Sequence, residues 1–172
     1  GDMMNVAGTT TLFPNGNFGP IYETDPLEEE VWISGLPRLH IDVTTATVGG
    51  QIYALLEDCS DDGDCIHIGH AKMDLRYHEG GVEEQTWLPV FENINAKMEF
   101  FAIDAQVEAG HTLRLSLAST GEDYLPASTS SIVQISEGPD SNLIIDVIQP
   151  ESKLLFDPPA CTHQYCLDWT SQ

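Results

Sequence analysis

The sequence predicts an all-β fold, a sandwich or jelly roll of about eight or nine strands. Three observations support this prediction. Apolar and polar residues alternate along most of the segments that are rich in apolar residues, and turns rich in Gly, Pro and Asp separate those segments. In addition, the sequence shows no convincing amphipathic helix. With 172 residues, of which 41% are hydrophobic, the chain is long enough to bury a core of its own.

The predicted strands follow one another along the chain with short connections. In PRLHIDVT the residues Leu39, Ile41 and Val43 alternate with polar ones, and HTLRLSLA repeats the pattern with three leucines. The remaining predicted strands are EEVWISG, QIYALLED, CIHIGHA, KMDLRY, KMEFFAID, SSIVQIS and NLIIDVI. Turn signals separate them at 48–50, 60–64, 78–81, 120–126 and 137–141, and a longer irregular connection spans 83–93.

The two ends of the chain differ from its middle. Residues 26–150 carry these strands and form the predicted jelly-roll domain. Residues 1–25 are polar and broken by Gly and Pro, so we expect an extended segment on the surface, and residues 151–172 form an irregular tail closed by cysteines. The start GDMMNV lacks the basic and apolar parts of a signal peptide, and Gly1 in place of Met is expected for the processed or excised end of a longer protein.

Strong acidity limits the possible partners. The chain carries 28 Asp and Glu against 6 Lys and Arg, a formal charge of −22 at pH 7. Such a surface repels phosphate groups, which argues against binding of nucleic acid or of anionic membranes. No run approaches the roughly 18 apolar residues of a membrane span. The composition therefore predicts neither a nucleic-acid-binding nor a membrane-inserted protein.

Four cysteines form two pairs that are close in sequence, Cys59 with Cys65 and Cys161 with Cys166. Local pairing predicts two small disulfides and an oxidising compartment, although four cysteines allow three connectivities. A zinc site that recruits His67, His70 or His163 is the alternative, but these spacings differ from the usual C-x2-C. The chain also lacks an N-x-[ST] glycosylation site, so we expect an exported prokaryotic protein, either extracellular or periplasmic.

An acidic turn is the best candidate for a ligand site. Four aspartates gather around Gly63 within the Cys59–Cys65 loop or at its edge: Asp58, Asp61, Asp62 and Asp64. Calcium takes six to eight oxygen ligands on a backbone that can turn sharply, and clustered Asp with a Gly supplies both. The spacing does not match the D-x-D-x-D-G loop, and the alternative is a solvated hairpin tip. Calcium is the one cofactor that the sequence suggests.

No sequence motif predicts catalysis. The chain has no G-x-S-x-G elbow, H-E-x-x-H pair, Walker loop or G-x-G-x-x-G. Four histidines, His40, His67, His70 and His78, lie on neighbouring predicted strands, where exposed or hydrogen-bonded roles are commoner than metal ligation. Three tryptophans could form a platform for a carbohydrate ring or could pack internally: Trp32, Trp87 and Trp169.

Four segments, in order, resemble one family. They are ETDPLEEEVWISGLPRLHIDVTT, IYALLEDCSDDGDCIHIGHAKMDLRY, IDAQVEAGHTLRLSLASTGEDYLP and SSIVQISEGPDSNLIIDVIQP. Together they cover roughly residues 20–150 and are similar to the C-terminal domain of X-Pro dipeptidyl-peptidases and cocaine-esterase-like hydrolases. The most recognisable stretch is Ala-Gly-His-x-Leu-Arg-Leu, which spans 109–115.

The resemblance implies a non-catalytic jelly roll of the galactose-binding type that packs against an α/β-hydrolase domain holding a Ser–Asp–His triad. It carries over three residues, for which we expect structural roles. Gly110 permits a tight turn, and His111 and Arg114 can bond turn backbone or neighbouring carboxylates.

Two functions of different class follow. As the accessory domain of a hydrolase, the chain should expose an apolar patch that includes Trp87, Leu88, Pro89 and Phe91. As a free-standing exported module, it should instead hold carbohydrate or calcium at one edge of the sandwich.

Overall fold

The computed structural model describes residues 2–5, 9–12, 19–79, 84–119, 121, 132–136, 138 and 140–148. These residues form thirteen strands, whose pairing is antiparallel throughout, and one 3-10 turn, Leu75–Tyr77. The strands are β1 Asp2–Asn5, β2 Thr9–Leu12, β3 Ile21–Glu23, β4 Val31–Gly35, β5 Arg38–Thr45, β6 Gln51–Cys59, β7 Cys65–Asp74, β8 Asn93–Glu99, β9 Ile103–Val107, β10 Thr112–Ala118, β11 Val133–Ser136, β12 Asn142–Ile145 and β13 Val147–Ile148. The predicted all-β sandwich is confirmed.

The first sheet is organised around β5. Strand β8 pairs with one edge of β5 over residues 38–44, while β11 pairs with residues 42–45 and β12 with residues 38–40 along the other edge. Strands β2 and β1 add to the outer edges of β11 and β12. The segment that the sequence places at 1–25, outside the sandwich, therefore contributes strands to it.

The third sheet continues the strands of the first. Its order is β13-β4-β9. Along the chain β13 follows β12, β4 precedes β5 and β9 follows β8, with one to three residues between the two strands of each pair. At the break, the Phe100 N–H donates to the Pro37 carbonyl over 2.9 Å and the Phe101 N–H donates to the His70 carbonyl over 3.2 Å. The second bond reaches the remaining sheet, β3-β10-β6-β7, and ties the two layers together at this bend.

The core lies between the layers and follows the predicted alternation. Along β5, Leu39, Ile41 and Val43 are fully buried, and Leu115 and Leu117 of β10 are buried opposite them. Burying each such side chain contributes on the order of 1.5–3 kcal/mol relative to leaving it in water. The inner faces are therefore fixed, and ligand or partner sites must use outer faces and the two ends of the sandwich.

Two predicted strands differ from the structure. The strand at KMDLRY ends at Asp74, because the Asp74 carboxylate accepts the Arg76 backbone N–H over 3.0 Å and caps the 3-10 turn. The strand at KMEFFAID is divided into β8 and β9 at the bend around Phe100, whose side chain is buried. Local side-chain capping and the bend between sheets outweigh the simple alternation at both places.

Candidate functional site

One end of the sandwich exposes an apolar surface, which we call the apolar end. It comprises side chains from three separate segments that meet where β5 and β7 end and β6, β8 and β11 begin. The exposed members are Val48, Trp87, Val90, Phe91 and Ile132. Trp87 is 66% exposed and Phe91 76% exposed. Exposed aromatic side chains of this kind are typical of surfaces that bind another protein.

Backbone hydrogen bonds hold the three segments together. The Leu88 N–H donates to the Val48 carbonyl over 3.2 Å, the Phe91 N–H to Thr45 over 2.9 Å, and the Ala46 N–H to Ile132 over 3.2 Å. The Leu88 side chain, 3% exposed, packs into the core between the two exposed aromatics. The apolar end is therefore fixed to the sheets through both backbone and side chain.

Of the four residues predicted for the apolar patch, two are exposed and two are not. Trp87 and Phe91 are exposed as expected, whereas Leu88 is buried and Pro89 is half-buried. Leu88 turns inward because its backbone is bonded to the loop beside Val48, which brings its side chain over the core. The sequence does not predict Val48 and Ile132 as members, because only the fold brings these distant residues next to the 83–93 connection.

Phe91 has an unusual backbone conformation. Its φ of 63° lies in the left-handed region, where a Cβ atom meets the carbonyl oxygen and the conformation costs about 1–2 kcal/mol. Among the described residues, the others with positive φ are glycines. Strained residues of this kind concentrate at functional sites, because the surrounding structure must maintain them. At this residue the left-handed conformation coincides with a ring that is 76% exposed.

A charged pair supports the base of the apolar end. Arg76 donates to both carboxylate oxygens of Asp74, its guanidinium reaches the Gln85 side chain over 3.3 Å, and its carbonyl accepts the Thr86 N–H over 2.8 Å. Burial acts to raise the pKa of Asp74, but the hydrogen bonds from Arg76 outweigh it and hold that pKa below its ordinary value. The pair joins β7 to the connection that carries Trp87.

The acidic turn, residues 60–64, lies at the opposite end of β6. Cys59 and Cys65 are directly opposite each other in the β6–β7 register and form the predicted disulfide, with Cα atoms 4.0 Å apart. The turn closes through hydrogen bonds from Ser60 N–H to the Asp64 carbonyl and from Gly63 N–H to Ser60. Gly63, with φ of 88°, supplies the left-handed residue that this turn requires. The Cys161 and Cys166 pair lies outside the described residues.

The four aspartates proposed for calcium do not all face the turn. Asp58 is 8% exposed and its carboxylate lies 2.8 Å from Nδ1 of His111, whereas Asp61, Asp62 and Asp64 are exposed. Within the described part of the chain, no three His, Cys, Asp or Glu side chains form a group that could hold a metal ion. Calcium binding stays a prediction, to be tested by calorimetric titration of the protein and of a D61A/D64A variant.

The Gly-His-x-Leu-Arg stretch forms the start of β10 and part of the turn that precedes it, between β9 of one sheet and β10 of another. Gly110 has φ of 87°, and its N–H donates to the Leu27 carbonyl over 2.8 Å. His111 contacts Asp58 as described, and Arg114 donates to the Glu23 carboxylate over 2.7 Å. These contacts tie β10 and the turn before it to β3, to β6 and to the segment that follows β3, which is a structural role.

The four histidines of the predicted strands lie in three places. His78 Nδ1 lies 2.8 Å from the Leu75 carbonyl at the 3-10 turn, and His40 lies on the outer face of β5. His67 and His70 come together, with Nε2 of the first 3.2 Å from Nδ1 of the second. Of the tryptophans, Trp32 hydrogen-bonds Asp104 through its indole nitrogen, and Trp169 lies outside the described residues.

A polar groove of about 560 Å³ lies on the outer face of the first sheet. Asp42, Asn95 and Lys97 line it, and Asn95 donates to the Asp42 carboxylate over 2.8 Å. His40 in the same groove has a lowered pKa, because of burial first and then because of Lys97 and Arg38. The groove is open and, among the described residues that line it, holds no Trp, Tyr or Phe, so it offers hydrogen bonds without the large ring that stacks on a sugar.

Comparison with protein families identifies this architecture. Residues 2–146 match the family model described as the X-Pro dipeptidyl-peptidase C-terminal non-catalytic domain. The chain belongs to this family. The match includes the N-terminal strands β1–β3, and the family description agrees with the lack of a catalytic motif, so this domain is non-catalytic. Comparison with curated proteins gave no match.

Solved structures show the same fold. A CocE/NonD family hydrolase from Staphylococcus aureus matches 86% of this chain and 34% of its own length, with a TM-score of 0.70 and 11% identity. An aminopeptidase from a marine sediment Thaumarchaeota archaeon matches 75% of this chain and 25% of its own, with a TM-score of 0.66 and 13% identity. An alpha-amino acid ester hydrolase matches 74% of this chain and 25% of its own length, with a TM-score of 0.65 and 17% identity. This chain thus spans only a quarter to a third of the length of these solved structures.

Proposed function

We propose that this domain docks through its apolar end onto an α/β-hydrolase catalytic domain, in the same chain or in a separate one, and stabilises that enzyme. The observation that carries the proposal is the pair of aromatic rings, Trp87 and Phe91, held in solvent by a loop that is fixed to the core. The hydrolases that share this fold are three to four times longer than the matched domain, which leaves room for such a partner.

The free energy of burying aromatic side chains favours the apolar end over other surfaces as the docking site. An aromatic side chain buries 150–250 Å² in an interface, so two of them remove enough apolar surface to contribute several kcal/mol. The −22 charge disfavours close contact elsewhere unless the partner is basic. A buried aromatic centre with a polar rim is the usual arrangement at interfaces that assemble stably.

The disulfide supports the compartment that we propose. The Cys59–Cys65 bond fits an oxidising environment, which supports an exported enzyme that works outside the cytoplasm or in the periplasm. In the described residues no helix has the length and apolar character needed to cross a membrane. We therefore place the proposed complex in an extracellular or periplasmic compartment.

Titration calorimetry tests the docking function. The catalytic domain encoded in the same reading frame or in an adjacent gene is titrated with this chain and with a W87D/F91D variant. We expect the variant to bind at least 100-fold more weakly, because each buried charge would lack a partner. The matched control is I21D, since Ile21 is also exposed, at 53%, but lies on edge strand β3.

The outcome is unambiguous if both variants keep the circular dichroism of the parent. Equal affinity for the parent and for W87D/F91D would contradict docking through the apolar end. Loss of affinity in I21D but not in W87D/F91D would move the interface to the β3 edge.

The alternative function is an exported module that binds carbohydrate or calcium on its own. The observation that favours it is the polar groove around Asp42 and Asn95, whose amide and carboxylate groups suit hydroxyl ligands. None of the family or structural comparisons supports a carbohydrate ligand. A glycan array probed with the protein and with a D42A/N95A variant tests the carbohydrate function, which fails if the parent binds no glycan; the calcium titration above tests the other.

A further inference from the structure

Two histidines on β7 are arranged as a chelating pair. Nε2 of His67 and Nδ1 of His70 lie 3.2 Å apart, and the ring centroids are 5.2 Å apart. His67 is exposed and His70 half-buried, so the two nitrogens are accessible from the outer face of the sheet β3-β10-β6-β7. This arrangement uses neither the apolar end nor the acidic turn.

A β-bulge makes the pair possible. In a regular strand, residues three positions apart point to opposite faces of the sheet. Here His67 lies opposite Glu57 and Gly69 lies opposite Leu56, so Ile68 is an extra residue on β7. Because of this insertion His70 lies opposite Leu55, and both histidines reach the same face. Bulges are frequent where a sheet must redirect a side chain for binding.

We propose that His67 and His70 bind a divalent transition-metal ion of the class that imidazole prefers, with Zn²⁺ as the representative ion. Zinc binds imidazole nitrogen at 2.0–2.1 Å, and two ligands at the tetrahedral angle are then about 3.3 Å apart. The observed separation of 3.2 Å is close to this value. Zinc, copper and nickel all favour imidazole, whereas Ca²⁺ and Mg²⁺ favour oxygen ligands.

The protons balance on metal binding. One of the two facing nitrogens carries the proton of the present N···N hydrogen bond. When the ion binds, that proton moves through solvent to the other nitrogen of the same ring, so both rings stay neutral and both facing lone pairs coordinate. Two waters complete the four-coordinate, tetrahedral shell that zinc prefers.

The surroundings orient the second ligand. The His70 ring lies 5.1 Å from the Phe101 ring, edge to face, and 5.9 Å from the Tyr53 ring. The His70 carbonyl accepts the Phe101 N–H, which fixes the backbone of this ligand at the bend between the layers. The −22 charge of the chain also raises the local concentration of cations around the site.

Zinc titration of the full, oxidised chain tests the proposal. The titration is followed by NMR of the imidazole nitrogens and by calorimetry, with Ca²⁺ as the comparison ion. We expect Zn²⁺ to shift the resonances of His67 and His70 and Ca²⁺ to leave them unchanged. H67A and H70A should each lower zinc affinity at least 10-fold, since loss of a ligand exceeds the usual effect of losing a second-shell partner.

Matched variants distinguish this site from others. H40A and H78A remove histidines elsewhere in the fold and should bind zinc as the parent does. H163A removes the histidine of the C-terminal tail and tests whether that residue contributes to zinc binding. Folding of each variant is checked by circular dichroism. The proposal is overturned if the parent shows no shift of the His67 and His70 resonances, or if H67A and H70A retain full affinity.

Discussion

The two ends of the β6–β7 hairpin expose surfaces of different chemical character. At its start, the apolar end joins three segments by backbone hydrogen bonds and exposes Trp87 and Phe91. At its other end, the acidic turn is a five-residue loop, 60–64, clamped by a disulfide, and it exposes carboxylates. Long connections that converge can present a broad apolar surface, whereas a short clamped turn presents only its own polar side chains. In this acidic chain, the surface suited to a partner lies where loops converge.

The largest expected effect is the difference in the free energy of unfolding between a Leu88 variant and a variant of its neighbour Trp87. Replacing Leu88 with Ala should lower the free energy of unfolding by about 2–5 kcal/mol, because the side chain is buried in the core. Replacing Trp87 with Ala should change it by less than about 0.5 kcal/mol, because that side chain is 66% exposed. Urea denaturation measures both, and equal losses would show that the apolar end is a part of the core rather than a free surface.

The next effect concerns the acidic turn. A C59A/C65A variant should lose about 2 kcal/mol of stability, because the disulfide limits the unfolded chain through a short loop. Its affinity for the catalytic domain should stay that of the parent, since the apolar end lies at the opposite end of β6. Thermal denaturation and the docking titration check the two statements. A docking defect in this variant would mean that the two ends are coupled.

The sequence predicted the layers well because alternation reports burial directly. Leu39, Ile41 and Val43 face the core as their spacing indicates, and the Cys59–Cys65 pair closes the predicted turn. The local signals failed where the chain makes tertiary contacts. Leu88 looks like part of an exposed apolar run, but its burial depends on the loop at Val48, which is forty residues away in the chain.

The site residues were harder to predict than the fold. The bulge at Ile68 leaves no signal in CIHIGHA, where simple alternation places His67 and His70 on opposite faces. Asp58 belongs to the acidic cluster in the sequence, yet its strand position directs the carboxylate to His111. Single-residue shifts in register thus decide which side chains meet, and composition cannot reveal such shifts.

A smaller effect tests the strain at Phe91. Replacing it with Gly should stabilise the domain by up to about 1 kcal/mol, because glycine adopts a φ of 63° without the Cβ clash, although the unfolded chain gains freedom. The same variant should dock more weakly, since the exposed ring is lost. F91A is the matched control because it removes the ring and keeps the strain. If F91G is no more stable than F91A, the left-handed conformation of residue 91 carries no strain that glycine relieves.

The smallest effect is the pH dependence of the pair under the apolar end. Arg76 lowers the pKa of Asp74 against the opposing effect of burial, so the pair stabilises the fold fully above the unfolded Asp pKa of about 4. This contribution disappears as the pH falls through the lower, folded value. An R76M variant should show a higher Asp74 pKa by carboxyl NMR and should lose less stability, by under about 1 kcal/mol, between pH 6 and pH 3. An unchanged Asp74 titration in R76M would mean that the backbone cap alone holds the carboxylate, and the loop carrying Trp87 would then depend on its backbone bonds instead of on this ion pair.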